Sequence, residues 1–286
     1  MLSSKVSEIM TTNLTTAPVV SSIHQVLNTM VGADVGRIII TDKEIPVGIF
    51  TEKDVLRRVV NQNLETENTG IKEVMTSPIR AVREETHIVE ALGRMYRGKY
   101  RHLLVRGRRG KIVGIVSMRR ILGLAVELGQ GMSESRTLGS LMRGEAVSVD
   151  EDSLVYETIE LMIRKGVTSV VVTKAGKPAA IFTERDVLKR VASKGVDTKK
   201  IQVNQVMTSP LITMSDTALI GEALAEMYRR DIRNMPVMSA AGELVGLVAM
   251  PDILQYAAAF NIDERVRQTW KEVQEYYDSE DQYTPG

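Results

Sequence analysis

The stretch Gly48-Ile49-Phe50-Thr51-Glu52-Lys53-Asp54-Val55-Leu56-Arg57-Arg58 decides how this chain is read, because versions of it return three more times. They are Gly114-Ile115-Val116-Ser117-Met118-Arg119-Arg120, Ala180-Ile181-Phe182-Thr183-Glu184-Arg185-Asp186 and Gly246-Leu247-Val248-Ala249-Met250-Pro251-Asp252, each 66 residues after the one before. Equal spacing across three gaps marks an internal repeat, which has to be recognised before any element is assigned. The chain is four copies of one unit.

Working outward from that stretch, each copy opens with a short amphipathic turn ending in methionine (Met10, Met75, Met142, Met207), followed by threonine in three of the four. An extended segment comes next, then a helical pattern with apolar residues three and four apart. In the first copy these are Ile23, Val26, Leu27 and Met30; in the fourth they are Ile220, Ala223, Leu224 and Met227. Two strands follow. The first is aliphatic, as in Arg37-Ile38-Ile39-Ile40, His102-Leu103-Leu104-Val105, Ser169-Val170-Val171-Val172 and Asn234-Met235-Pro236-Val237. A polar or glycine-bearing turn leads to the second strand, which runs into the recurring stretch and a closing helix with Val55, Leu56 and Val59 on one face. The order is strand, helix, strand, strand, helix, an α/β (α+β) unit. One copy of under about 60 residues leaves a large apolar sheet face exposed and is marginal alone, so copies should pack in pairs.

The spacers are polar. We place a first pair at 1–128, with copies at about 6–60 and 71–128, a linker at 129–137, and a second pair at 138–260, with copies at about 138–192 and 201–260. The remaining residues, 261–286, read as a C-terminal helix and tail. Val266, Trp270, Val273 and Tyr277 make a one-face stripe on it, suited to capping the second pair or to docking a protein target or a second copy.

Composition excludes several function classes. The 286 residues carry 37 basic and 36 acidic side chains, a net charge of +1, so no global field draws the protein to nucleic acid or an anionic membrane. The basic turn Arg106-Gly107-Arg108-Arg109-Gly110-Lys111 lacks the interleaved aromatics of a nucleic-acid platform. Cysteine is absent, which removes disulfides and thiolate chemistry, and His24, His87 and His102 share no metal-ligand spacing. No apolar run approaches the ~20 residues that span a bilayer. We expect a soluble, cytoplasmic protein without a metal, without an obligatory cofactor and without catalytic residues.

The Val/Ile-Met-Thr opening, the Arg-His-Leu-Leu-Val type of strand and the Gly-h-h-Thr-x-x-Asp head of the last helix together resemble the CBS domain, whose repeats pair into Bateman modules. Four copies in one chain also resemble the gamma subunit of AMP-activated protein kinase and stand-alone archaeal four-repeat proteins. The resemblance implies two modules meeting in a disc, with clefts that bind AMP, ADP or ATP as regulatory ligands. It implies ligand roles for Thr51 and Asp54, and for Thr183 and Asp186 in the closely matching third copy. A hydroxyl and free amides at a helix head can receive a phosphate, and a carboxylate one turn on can accept both hydroxyls of a ribose. Arg101 and His102 are candidates to offset phosphate charge. Adenine would contact the opening segments, near Thr15 and Thr16 in copy one. Copy two keeps Ser117 but has Arg120 where the family has aspartate, so its cleft is expected to be empty or to use Arg120 for an extra phosphate; copy four keeps Asp252 but has Ala249, so weaker or more nucleoside-like binding is expected there. Thr-x-x-Asp is equally close to a helix capping box, so a scaffold with vestigial sites stays open, as does a sensor of S-adenosylmethionine or another adenosyl ligand.

Overall fold

The computed structural model describes residues 5–127, 136–142 and 146–253. The expected tail helix and most of the linker lie outside the described residues. Each copy builds a three-stranded sheet whose middle strand runs parallel to a short first strand and antiparallel to the third. In the first copy β1 is Thr16–Pro18, α1 Ile23–Gly32, β2 Arg37–Asp42 and β3 Ile45–Thr51. In the second β4 is Ala81–Arg83, α3 Ile88–Arg97, β5 His102–Arg106 and β6 Ile112–Ser117, with α4 Met118–Glu127 closing it. The third has β7 Ser148–Asp150, α5 Val155–Lys165, β8 Ser169–Lys174 and β9 Lys177–Thr183; the fourth has β10 Met214–Ser215, α7 Ile220–Arg229, β11 Asn234–Met238 and β12 Leu244–Ala249. The short α2 (Glu52–Asp54), α6 (Glu184–Asp186) and α8 (Met250–Ile253) start the closing helices of copies one, three and four.

Local chemistry explains these elements. Ser22 and Gln25 form a capping box at the head of α1, and the four apolar residues read from the sequence are the ones buried on that helix. The β-branched run Ile38-Ile39-Ile40 forms a central strand buried throughout. Lys43 and Glu44 both take positive φ, 47° and 67°, as a two-residue hairpin turn of matching twist requires. The closing helices of copies one and three differ from the regular α-helix expected: Val55–Val60 and Val187–Val191 are π-helical. The widened turn keeps Val55, Leu56 and Val59 buried together while Arg58 reaches back to the carbonyls of Val74 and Met75, 2.9 Å from each.

Those carbonyls belong to the next copy, because the opening turns are exchanged within each pair. Val6 donates to Thr86 O and Ile71 to Ser21 O; in the second pair Leu138 donates to Ala218 O and Val203 to Ser153 O. The apolar side chains follow. Ile71 and Val74 pack in the core of copy one, Val6 and Ile9 in that of copy two. The repeated methionine then lies across the glycine of its neighbour: a Cβ on Gly48 would sit 2.4 Å from Met75 Sδ, and one on Gly114 2.7 Å from Met10 Sδ. The approach is close there, but it is made by a flexible thioether.

Two large cores join the pairs. One combines copies one and three, the other copies two and four. A smaller cluster around Ile39, Leu104 and Ile115 joins the sheets of copies one and two. The contacts therefore close a ring in the order one, two, four, three, and the starts of the middle strands face its centre.

Candidate functional site

Thr51 ends β3 and Asp54 ends the first turn of the helix that follows, so their three-residue spacing turns both inward. The Asp54 carboxylate accepts from Thr51 N at 2.9 Å and from Thr51 Oγ1 at 2.7 Å. Its other oxygen accepts from Thr76 Oγ1 at 3.2 Å and lies 3.5 Å from Arg58 Nε. Copy three repeats this geometry: Asp186 accepts from Thr183 N at 2.9 Å, from Thr183 Oγ1 at 2.7 Å and from Thr208 Oγ1 at 2.7 Å, with Arg190 at 3.4 Å. Thr183 and Asp186 form a full capping box, so the capping role anticipated for Thr-x-x-Asp exists here. Thr76 and Thr208 were not among the expected site residues. Their signal was the Met-Thr opening, but its meaning depends on the exchange of openings between copies.

Asp54 and Thr51 line a cleft of roughly 1070 Å³. Its far wall comes from copy two, through Arg80, Lys99, Tyr100, Arg101 and His102, and its floor includes Glu184 of copy three and Arg233 of copy four. Thr51, Asp54, Arg101 and His102 are thus brought together. Thr15 and Thr16 are not among its lining residues; the opening segment that lines it is residues 76–80 of the second copy. Thr15 and Thr16 instead run beside Ile39, on the segment whose Thr11 pairs with Ile115 of copy two.

Strand register shows which residues are equivalent at the centre. Arg37, His102, Ser169 and Asn234 each pair with the last residue of their own third strand, so they and their predecessors Gly36, Arg101, Thr168 and Arg233 form two rings of four. Arg101 of copy two bonds Glu184 of copy three at 2.7 Å, and Arg233 of copy four bonds Glu52 of copy one. Both glutamates are buried, Glu184 at 4% and Glu52 at 1% exposure. Two matched ion pairs therefore tie one module to the other. Burial lowers the Arg101 pKa, but the charge and hydrogen bond of Glu184 outweigh it and leave the group raised. His102 is pushed well below its ordinary value by burial and then by Arg37, Arg101 and Arg233, so it is neutral at pH 7. Arg37 is lowered by burial and by Arg233. Glu52 Oε1 and Ser169 Oγ are buried with hydrogen-bonding capacity unspent.

The other two copies differ as their sequences do. Ser117 Oγ accepts from Arg120 N at 3.1 Å, a plain cap, and the Arg120 guanidinium approaches Tyr228 Oη at 3.4 Å. Arg119 pairs with Asp231 and stacks over the Tyr228 ring, whose edge would be 2.3 Å from a Cβ on Gly123. Copy four's helix therefore occupies the approach to this position. In copy four itself Asp252 accepts from Ala249 N at 2.7 Å, again a cap, with no hydroxyl at position 249. Among the described residues no cluster of three or more His, Cys, Asp or Glu could hold a metal, and no helix is long and apolar enough to cross a membrane.

The fold agrees with solved structures. One from Methanocaldococcus jannaschii, described as a proposed archaeal homolog of g-AMPK, superposes with a TM-score of 0.77 at 17% identity, covering 89% of this chain and 100% of that one. An uncharacterized conserved protein of Pyrococcus horikoshii gives 0.58 at 19% identity over 88% of this chain and 98% of its own. Among curated proteins, the Arabidopsis thaliana CBS domain-containing protein CBSCBSPB1 is 26% identical over 85% of this chain and 52% of its own length. An uncharacterized Methanopyrus kandleri protein is 31% identical over 42% of this chain and 62% of its own. The chain thus spans between half and two thirds of these two relatives. The CBS domain family matches residues 6–61, 71–127, 138–193 and 203–259, one match to each repeat. With its repeats, their exchanged openings and their paired sheets all accounted for, the chain belongs to the CBS domain family.

Proposed function

We propose that this chain is a non-catalytic regulatory sensor that binds adenine nucleotides, AMP and also ADP or ATP, between its repeats. The observation that carries the reading is the cleft of copy one. A carboxylate that can accept a ribose diol faces a cluster of arginines across a space of roughly 1070 Å³, at the upper end of the range of ligand sites. Ribose hydroxyls would replace the Thr51 and Thr76 hydroxyls on Asp54, so little desolvation cost is added. Phosphates would lie toward Arg101 and His102, and Thr183 with Asp186 would serve the same role in copy three. The two modules at 1–128 and 138–260 would move relative to one another only as far as the ligand favours one arrangement over the other.

One observation favours a second reading, a scaffold without ligands: both oxygens of Asp54 and Asp186 are already satisfied within the protein. Thermal unfolding separates the two. AMP, ADP, ATP, S-adenosylmethionine and NAD are each added at about 100 times a micromolar dissociation constant, where a specific ligand contributes roughly 2.7 kcal/mol. A rise with adenine nucleotides that is lost in Asp54→Ala/Asp186→Ala supports the sensor. A rise with S-adenosylmethionine or NAD alone changes the ligand, and no rise with any leaves the scaffold.

A further inference from the structure

The two positions that match most closely in sequence, Thr51/Asp54 and Thr183/Asp186, differ in the charge around them. Lys53, Arg57, Arg80 and Lys99 surround the cleft of copy one. None of the four has an ion-pair partner among the described residues. The three acids there are already committed, Asp54 to Arg58, Glu184 to Arg101 and Glu52 to Arg233. The surplus is felt inside the protein. Lys53 is partly buried, and its pKa is lowered by that burial and then by Arg57 and Arg101, against the opposing charges of Glu184 and Asp54.

The equivalent positions in copy three, 132 residues further on, are Arg185, Lys189, Ile212 and Asp231. There the surplus is gone. Arg185 donates to Asp231 at 2.7 Å and lies 3.6 Å from Asp34, and Lys189 bonds Asp34 as well. Asp34 and Asp231 follow α1 and α7 at φ of 50° and 56°, a left-handed position that aspartate tolerates, and both carboxylates reach the cations of copy three, Asp231 sharing its charge with Arg119 of copy two. The matching positions that face copy one are Lys99, at φ 52°, and Gly166. Four equivalent helix ends thus give copy three two acids, and give copy one a lysine and no acid.

We propose that the copy one cleft is a polyphosphate site, selecting a nucleoside di- or triphosphate over a monophosphate, while the copy three position has no such preference. Lys53 and Lys99 determine the choice. They stand on the two walls of one cleft, where unpaired charges of one sign reinforce each other. In copy three Asp34 and Asp231 take the place a terminal phosphate would fill. For the nucleoside the inference rests on the nucleotide reading above; the charge preference does not.

The test uses the full chain, isothermal titration calorimetry and metal-free ligands. Sodium tripolyphosphate and orthophosphate probe charge alone; ATP and AMP probe it with the nucleoside attached. Wild type should bind one tripolyphosphate at least about tenfold more tightly than orthophosphate, and Lys53→Gln/Lys99→Gln should lose about that factor for tripolyphosphate and ATP while AMP changes little. Asp34→Asn/Asp231→Asn, which frees both Arg185 and Lys189, should create a second tripolyphosphate site, and this gain cannot come from misfolding. Equal affinity for the two inorganic probes, or a double variant that binds tripolyphosphate as wild type does, overturns the proposal. Tripolyphosphate binding without ATP or AMP binding removes the nucleotide reading and leaves this one standing. ATP and AMP binding with a ratio unchanged in the double variant does the reverse.

Discussion

Glu184→Gln tests whether the centre of the ring is an electrostatic joint between modules. The Glu184 side chain is 6% exposed and bonds Arg101, itself 27% exposed, at 2.7 Å. Removing the charge leaves Arg101 beside Arg37, Arg233 and His102, with Glu52 as the remaining central acid. Breaking a fully buried pair costs about 3–5 kcal/mol. Arg101 still reaches the water of the cleft, which moves the cost toward the ~1 kcal/mol of surface pairs, so about 2 kcal/mol is expected. For a chain of this size that lowers Tm by roughly 4–8 °C. The even copies carry Met118 and Met250 at the position of Glu184, so Arg101→Met/Glu184→Met should fit sterically and lose less than the sum of its single variants. The assay is calorimetric unfolding of the four members of that cycle with Glu184→Gln alongside, at low and at 0.5 M salt. A coupling below about 0.5 kcal/mol would refute the joint, because pairs of independent sites already agree to that margin.

Three further outcomes follow from the same geometry. Asp186→Ala removes three hydrogen bonds and a neighbouring ion pair, and strands the Thr183 N–H, so denaturant unfolding should show a loss of about 2–4 kcal/mol; a loss under 1 kcal/mol would mean the network is replaced by water. Gly48→Ala brings a Cβ to 2.4 Å from Met75 Sδ, yet copy three carries Ala180 at the same place, so the flexible thioether should yield and the cost stay below about 1 kcal/mol, where Gly48→Val should exceed 2 kcal/mol. The lowered pKa of His102 means that the folded protein binds fewer protons than the unfolded chain just below pH 6.5. Its contribution is complete above that pH and is lost as the pH falls. Tm should drop between pH 7 and 5, less steeply in His102→Gln, and equal slopes in the two proteins would show that another group titrates.

Repetition made the fold legible. The 66-residue period, the apolar faces of α1 and α7 and the β-branched middle strands are local patterns, and each is buried as its spacing implies. The candidate site was legible as far as it is local. Thr51 and Asp54 lie three residues apart, and Arg101 and His102 are adjacent in sequence. What was hidden depends on long-range pairing. Thr76 reaches Asp54 because openings cross between copies, and that crossing leaves no mark beyond the repeated Met-Thr. Thr15 and Thr16 lie on the opening of copy one, whereas the cleft of copy one is lined by the opening of copy two. The partners of Arg101 and Arg233 lie 83 and 181 residues away. Glu52 and Glu184 were visible in the odd copies alone, but only strand register shows that the even copies answer them with arginine.

The exchange of openings also decides how far an event in one cleft can travel. Asp54 is held by Thr51 of its own copy and by Thr76 of the next, so an occupant that takes over those bonds loosens the tie between copies one and two. The same cleft is floored by Glu184 and Arg233, one from each copy of the other module. An anion that draws Arg101 toward itself weakens its bond to Glu184, and Glu184 precedes by two residues the carboxylate that organises copy three. No wire of side chains is needed, because four copies meet around one cavity and share two cores. The direction of any change is set by sign. An anion bound there would compete with Glu52 and Glu184 for the central arginines and would favour an arrangement in which the modules separate at those pairs. Glu184→Gln should therefore mimic in part what an anion does, and an anion should stabilise that variant more than it stabilises wild type.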